Sequence, residues 1–240
     1  MKTSNKILIA AAIVPVFLFL GEAVLLKIAF ENSVYKNAER LESKTPISRE
    51  YDFKGFNKLF FNGAWDVKII QGSDYSVKIK APENIMNLVS IRNEEDKLFL
   101  NQFSGYQKMD TGYALEAEIV MPAPSDITLL GACRLYITGY RQEYIGIEAN
   151  GATKISVSDT TLTNLNLKGE GIAKWDLSQA PIVNAEVEYV GQFSISLFMN
   201  GGELKGVLDG MGELTYSGSA DTSEMKIKNA SSRILHLQDL

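Results

Sequence analysis

Glycine recurs at a fixed interval in the second half of the chain, and this interval constrains the fold more than any other feature. The spacing is 20 residues from Gly131 to Gly191 and nearly the same onward to Gly210 and Ala230. Such a unit has strand-like alternation and no helical pattern, so it must stack on a copy to bury its apolar face. The repeat predicts an all-β solenoid with coils of about 20 residues. The apolar residues four positions after each repeat start are Leu135, Ile155, Trp175, Ile195, Leu214 and Ile234.

The leading glycines are predicted to turn the corners of the coil. A backbone that bends between flat strands needs a positive φ or a close approach there, and glycine alone tolerates both. These structural corner residues are Gly131, Gly151, Gly171, Gly191 and Gly210.

Period-two alternation in the region before Pro122 predicts strands that precede the coils. The runs Trp65–Gln71 and Tyr75–Ala81 flank a Gly-Ser-Asp turn and predict a β-hairpin. A second hairpin is expected with its turn at Asn93–Asp96, and a further strand is expected to end at Pro122.

An apolar stretch, Ile7–Phe30, follows the basic amino terminus. It is long enough to cross a bilayer as a helix, which predicts an uncleaved anchor in residues 1–30 with the amino end cytoplasmic. A cleaved signal peptide, which would release the protein, is the alternative. Residues 31–50 are predicted to be a polar linker and residues 51–240 the exported domain, in the periplasm or cell envelope.

Charge and cysteine content exclude several functional classes. The formal net charge is −5 and the pI is about 5.1, which is unlike a nucleic-acid-binding protein. Cys133 is the single cysteine, so an internal disulfide and cysteine-based zinc sites are excluded. We expect no cofactor and no metal.

Basic side chains recur three residues after the leading glycines, at Arg134, Lys154 and Lys174. With the neighbouring Tyr136 they form a candidate binding surface for an anionic glycan or an acidic partner. The alternative is an ordinary solvated face. Charges three residues before the glycines alternate in sign and would favour correct stacking; they are Glu148, Lys168 and Glu188.

No catalytic set is predicted. A β-helix enzyme needs carboxylates on one face, about 5 to 10 Å apart, whereas the candidate carboxylates occupy unequal repeat positions and should scatter around the coil. The single histidine, His236, is expected to cap the last coil or to be partly buried there. Trp65 and Trp175 are expected in the core. The remaining candidates are the carboxylates Asp159, Asp176, Glu186 and Glu188 and the exposed tyrosines Tyr106, Tyr113, Tyr136 and Tyr140.

Six segments follow one another along the chain: FNGAWDVKIIQGSDYSVKIKAPENI, DKLFL, IVMPAPSDITLLGACRLYITG, NGATKI, GEGIAKWDL and DGMGELTYSG. Their order resembles the family described as putative auto-transporter adhesin, head GIN domain, a domain of unknown function. The similarity covers roughly Tyr51 to Ile234. It implies a single-stranded, right-handed β-helix related in shape to pectin-lyase-like proteins, a bacterial envelope location and an adhesive role, with no established catalytic residues. The chain departs from the pattern after Gly191 and at the inserted NGGELKG.

The sequence therefore predicts a non-catalytic, membrane-anchored solenoid for adhesion, binding or scaffolding at the bacterial envelope. An envelope protein or a glycan is the expected ligand. A β-helix enzyme acting on a polysaccharide and an envelope sensor working through a membrane partner are the alternatives.

Overall fold

A computed structural model describes residues 45–102 and 114–237, which form a nearly all-β fold built around one large open sheet. One short helix interrupts the strands. In chain order the elements are β1 (Pro46–Tyr51), β2 (Lys58–Gln71), β3 (Ser76–Pro82), α1 (Glu83–Met86), β4 (Ser90–Glu94), β5 (Lys97–Asn101), β6 (Leu115–Met121), β7 (Asp126–Thr138), β8 (Arg141–Ser158), β9 (Thr161–Asp221), β10 (Met225–Ile227) and β11 (Ser232–Leu237).

The glycine-led repeats lie on one another as parallel strands. Gly131 pairs with Gly151, and Gly151 with Gly171, so residues of these strands face those 20 positions further along the chain, apart from a register shift that places Ser158 opposite Gln179. In the coil that follows Gly191 the offset is 19, as Gly210 packs against the Gly191 carbonyl, and it returns to 20 where β11 pairs with β9. The predicted all-β class and the stacking of equivalent residues are confirmed. The right-handed coiling remains a prediction.

Equivalent apolar residues form buried rows because they repeat at the same position in each strand. Ile155 lies directly beside Trp175 in the pairing of β8 with β9, and neither side chain is more than 1% exposed. Trp65 is fully buried in β2. The prediction that both tryptophans belong to the core is confirmed.

The first repeat begins earlier than the glycine spacing predicts. β2 pairs in parallel with β7, and Gly63 faces Gly131 across 68 residues. The segment containing β3 to β6 is inserted between these two repeats, so a search at a fixed period does not reach Gly63. The tripeptide Asn62-Gly63-Ala64 recurs at Asn150, and this recurrence was the sequence signal for the earlier repeat.

The predicted hairpin of Trp65–Gln71 with Tyr75–Ala81 is wrong. β6 lies between these two strands, parallel to β2 and antiparallel to β3. β6 can occupy this place because its apolar residues alternate in step with those of β2, so that Ile119 faces Ile69 and both are buried. The second predicted hairpin is confirmed, since β4 and β5 pair antiparallel.

The end of the sheet near the amino terminus of the described domain is covered. The helix α1 buries Ile85 and Met86. Gln102 is also buried, and its side-chain oxygen accepts a hydrogen bond of 2.7 Å from the amide of Ala64. Core groups and a strand amide at this end are therefore shielded from water.

The predicted membrane anchor, Ile7–Phe30, lies outside the described residues. Within residues 45–102 and 114–237, no helix has the length and apolarity required to cross a membrane. The strand β1 begins at Pro46, inside the segment predicted as a linker.

One of the tyrosines expected at the surface is buried. Tyr140 is 1% exposed, and its hydroxyl donates a 3.1 Å hydrogen bond to the carbonyl of Met121. Gly139, with φ of 94°, redirects the chain immediately before it. Alternation along β7 therefore does not extend to Tyr140. Tyr106 and Tyr113 lie outside the described residues.

Candidate functional site

The three basic residues singled out in the sequence form one straight row, here called the basic ladder. Arg134 pairs with Lys154, and Lys154 pairs with Lys174, in three adjacent parallel strands. Their side chains point outward because the flanking residues, such as Leu135 and Ile155, point into the core. Neighbouring strands are about 4.8 Å apart, so the backbone positions of the ladder extend over about 10 Å.

Partial pairing leaves most of this positive charge uncompensated. Arg134 lies 3.4 Å from a carboxylate oxygen of Asp66, its neighbour on the other side. Within the described part of the chain, Lys154 and Lys174 have no carboxylate oxygen within 4.0 Å. The nearby Asp176 instead accepts hydrogen bonds from the amide and hydroxyl of Ser178.

Tyr136 lies at the edge of a shallow depression of about 370 Å³ beside the Arg134 end of the basic ladder. Its neighbour Lys68 lies among other side chains of the depression that alternate between positive and negative charge. Lys80 contacts both carboxylate oxygens of Glu116, at 2.9 and 3.1 Å. Opposite charges therefore balance in the depression, whereas the part of the basic ladder formed by Lys154 and Lys174 is positive. The depression is lined by Ser48, Asp66, Lys68, Lys78, Lys80, Glu116, Ala117, Glu118 and Tyr136.

The charges predicted to alternate along a second row do so. Glu148 pairs with Lys168, whose ammonium lies 3.1 Å from a carboxylate oxygen of Glu188. The hydrogen bond to Glu188, strengthened by its charge, raises the pKa of Lys168 above its ordinary value. This row is a matched contrast to the basic ladder because its lysine has carboxylate neighbours.

A second concavity, which the sequence reasoning did not identify, lies along β8 and β9 and is here called the amide groove. It has a volume of about 560 Å³. Asn184 donates a 3.1 Å hydrogen bond to Asn164 and accepts one of 3.0 Å from the amide of Glu203. Its lining residues are Tyr144, Asn164, Leu165, Asn166, Asn184, Ala185, Glu186, Gly202, Glu203 and Lys205.

The amide groove depends on the inserted NGGELKG segment. Gly201 and Gly202 have φ values of 81° and 74° and turn the chain so that Glu203 reaches Asn184. The inserted segment interrupts the repeat in the sequence. This interruption was the sequence signal that the surface changes locally there.

The candidate carboxylates are only partly scattered. Asp159 is in a turn, 2.7 Å from Arg141, and Asp176 is near the basic ladder. Glu186, however, shares the amide groove with Glu203. Glu186 accepts a 3.4 Å contact from Asn166, and Glu203 lies 4.0 Å from Lys205.

The other potentially reactive side chains, His236 and Cys133, both pack against the rest of the fold. His236 stacks on Tyr216 with ring centroids 4.6 Å apart, and its ring contacts the Gly218 carbonyl at 2.7 Å. Cys133 is buried, and burial raises the pKa of its thiol to about 11. The described residues contain no group of three or more histidine, cysteine, aspartate or glutamate side chains able to hold a metal ion.

The leading glycines have backbone conformations that side chains rarely adopt. The φ values are 117° at Gly131, 121° at Gly151, 114° at Gly171, 123° at Gly191 and 151° at Gly210. A methyl group added at Gly131 would lie 2.5 Å from the Gly63 carbonyl oxygen. Close stacking and a positive φ therefore both require glycine in this row.

Comparison with known proteins assigns the family. The model of the putative auto-transporter adhesin, head GIN domain family matches residues 55–181, more than half of the chain. The chain belongs to this family. The resemblance drawn from the quoted segments is thereby confirmed. No curated protein matches the chain in sequence.

Two solved structures extend the comparison to most of the described domain. A putative adhesin from Bacteroides fragilis is 19% identical with a TM-score of 0.66, and the match covers 81% of this chain and 98% of that one. A putative lipid binding protein from Parabacteroides distasonis is 14% identical with a TM-score of 0.52, covering 80% and 97%. At these identities the similarity concerns the fold.

Proposed function

We propose that the chain is an exported, non-catalytic adhesion module that binds an anionic glycan along the basic ladder. The family and the Bacteroides fragilis structure are named as adhesins, and the Parabacteroides distasonis structure is named as a lipid binding protein, which supports a binding role. The observation that carries the proposal is the uncompensated stack of Lys154 on Lys174. Like charges placed side by side on neighbouring strands are destabilising, so the arrangement is better explained by an anionic ligand than by folding.

The spacing of the ladder suits a polymer. Regularly placed cations on a rigid sheet can contact successive anionic groups of an extended chain without being ordered on binding, which lowers the entropic cost. The ring of Tyr136, which is only partly exposed and lies two residues after Arg134, can stack on a sugar face. Binding by several solvated charges should weaken as salt increases.

The module is proposed to be a right-handed β-solenoid tethered to the bacterial envelope through Ile7–Phe30. The in-register parallel pairing of successive repeats supports the coil, and the length and apolarity of the segment support the anchor. Fractionation of cells that express the full chain tests the tether. An anchored protein stays with membranes after washing at high salt, whereas a released protein contradicts the anchor.

Glycan-array binding tests the proposed ligand. Changing Arg134, Lys154 and Lys174 together to serine should weaken binding to acidic glycans and leave neutral glycans unaffected. Unchanged binding to acidic glycans would refute a role for the ladder. Binding to acidic proteins and to no acidic glycan would assign the ladder to a protein partner.

A polysaccharide-cleaving enzyme is the second candidate, and the pair Glu186 and Glu203 in the amide groove favours it. Two carboxylates flanking a glycosidic bond are the minimum for acid–base hydrolysis. Release of reducing ends from envelope polysaccharides tests this candidate. Activity that disappears in both Glu186→Gln and Glu203→Gln would establish an enzyme, and the absence of release would remove this candidate.

A further inference from the structure

The two ends of the open sheet differ in how their strand edges are protected. At one end β10 and β11 each pair only with β9 among the described residues. Their outward amides and carbonyls are therefore available to another strand. Large apolar side chains are exposed at this edge: Ile227 at 46%, Leu235 at 40% and Leu237 at 53%.

The opposite edge carries the features that normally prevent association. Its strands, β1 and β4, contain Arg49, Glu50, Arg92 and Glu94, and α1 packs beside β1. Charged edge strands and covering elements block strand addition. Among the described residues, β11 carries Arg233 as its only charged side chain and β10 carries Lys226, so this edge has fewer charges than the opposite one and no covering helix.

We propose that a second copy of this chain docks on this edge, with the two β11 strands antiparallel about Leu235. This register pairs Leu235 with Leu235 of the second copy, Arg233 with Leu237, and Ile234 with His236. No like charges face each other, and the exposed Leu235 side chains of the two copies cover one another. A two-fold arrangement of this kind also closes the assembly, because each copy uses the less protected of its two described sheet edges.

The same register continues the buried layer of the sheet. Ile234 and His236 face the residues of β9 that belong to the core, Leu214 and Tyr216. His236 is already stacked on Tyr216. In the dimer these inward side chains would contact their counterparts, so the last strand, β11, of one copy would be covered by β11 of the other.

Cysteine cross-linking of the full chain in detergent tests both the occupant and the register. Leu235→Cys places two thiols opposite each other, within the Cα separation of about 4.4 to 6.8 Å that a disulfide requires. Arg233→Cys would hold its thiols about 13 Å apart along the strands, too far to bridge. The native Cys133 is buried and should not interfere.

Under a mild oxidant, Leu235→Cys should give a covalent dimer on the order of 100-fold faster than Ile172→Cys, because pairing raises the effective thiol concentration to the millimolar range. Ile172 is a matched control since it is an exposed apolar residue, at 58%, away from the edge. A mixture of Arg233→Cys and Leu237→Cys chains should also cross-link, while Arg233→Cys alone should not.

Equal rates for Leu235→Cys and Ile172→Cys would overturn the proposal, because they would report random collisions. Efficient cross-linking by Arg233→Cys alone would contradict the register. Cross-linking of Leu235→Cys to a different protein in cells would show that this edge has another partner and would also overturn the proposal. Circular dichroism of each variant verifies that the β-fold is retained.

Discussion

The indole N–H of Trp175 donates a 3.0 Å hydrogen bond to the side-chain oxygen of Thr153 within the buried core. Thr153 is only 5% exposed, so water cannot readily replace this acceptor. The two residues lie in neighbouring repeats, and the bond therefore ties one repeat to the next. It also explains how a polar threonine is accommodated in an otherwise apolar interior.

Replacing Thr153 by valine should lower the free energy of unfolding by about 1 to 3 kcal/mol, because it leaves a buried indole donor unpaired. Thr153→Ser retains the acceptor and should cost only about 1 kcal/mol for the lost methyl group. Urea unfolding of both variants measures the difference. Equal stability of the two variants would show that the hydrogen bond contributes little.

Alanine at Gly151 should destabilise the fold by about 3 kcal/mol or more, since a positive φ and a backbone clash act together. Its methyl group would collide with the carbonyl oxygen of Gly131. Gly201→Ala is the matched control, because its φ is 81° and a methyl group there meets nothing within 4 Å. The control should cost about 1 to 2 kcal/mol. Thermal unfolding that shifts equally in both variants would exclude the clash as a cause.

Two buried tyrosines should respond differently to removal of the hydroxyl group. Tyr140→Phe loses the hydrogen bond to Met121 and should cost about 1 kcal/mol at neutral pH. Tyr189→Phe should be neutral or stabilising, because among the described residues no group hydrogen-bonds to the Tyr189 hydroxyl. Comparison of urea midpoints at pH 8 tests this contrast. A larger loss in Tyr189→Phe than in Tyr140→Phe would contradict it.

Alkaline pH should weaken the fold through the same side chains. Burial, with a smaller contribution from Glu170, raises the pKa of Tyr189 to about 12. The unfolded phenol has a pKa of about 10. Stability contributed by the protonated form is therefore complete below about pH 10 and is lost as pH rises through about 12. Tyr189→Phe should lose about 1 kcal/mol less than wild type between pH 8 and pH 11. Parallel losses in both proteins would contradict this linkage.

Much of the repeated region could be predicted from local spacing. The interval between Gly131 and Gly151 and the apolar residues Ile155 and Trp175 were sufficient to predict the stacking. In a parallel stack, residues that lie beside each other in space are separated by a constant number of residues in the sequence. Arg134, Lys154 and Lys174 could be aligned for the same reason. Each of these relationships depends only on counting residues along the chain.

The remaining features depend on contacts that counting does not reveal. A turn signal after Gln71 marks a reversal but does not show that Leu115–Met121 enters between the two strands. The burial of Tyr140 depends on a redirected backbone at Gly139. The amide groove arises where the offset changes from 20 to 19 near Gly201, which brings Glu203 to Asn184.

The proposed function depends on the basic ladder, so the salt dependence of glycan binding is the decisive measurement. We expect titration of the full chain in detergent with a polyanionic glycan to give an affinity that falls steeply as salt rises. The variant with Arg134, Lys154 and Lys174 changed to serine should have a slope of log K against log salt that is lower by about two to three, by analogy with counterion release from nucleic acids.

Two controls separate the ladder from overall charge. Lys154→Arg with Lys174→Arg retains the cations and should bind like wild type. Serine at Lys54, Lys168 and Lys226 removes three charges elsewhere and should leave the slope nearly unchanged. We expect only the ladder variant to lose affinity and to show a lower slope. Equal losses in the ladder variant and in the variant at Lys54, Lys168 and Lys226 would contradict it.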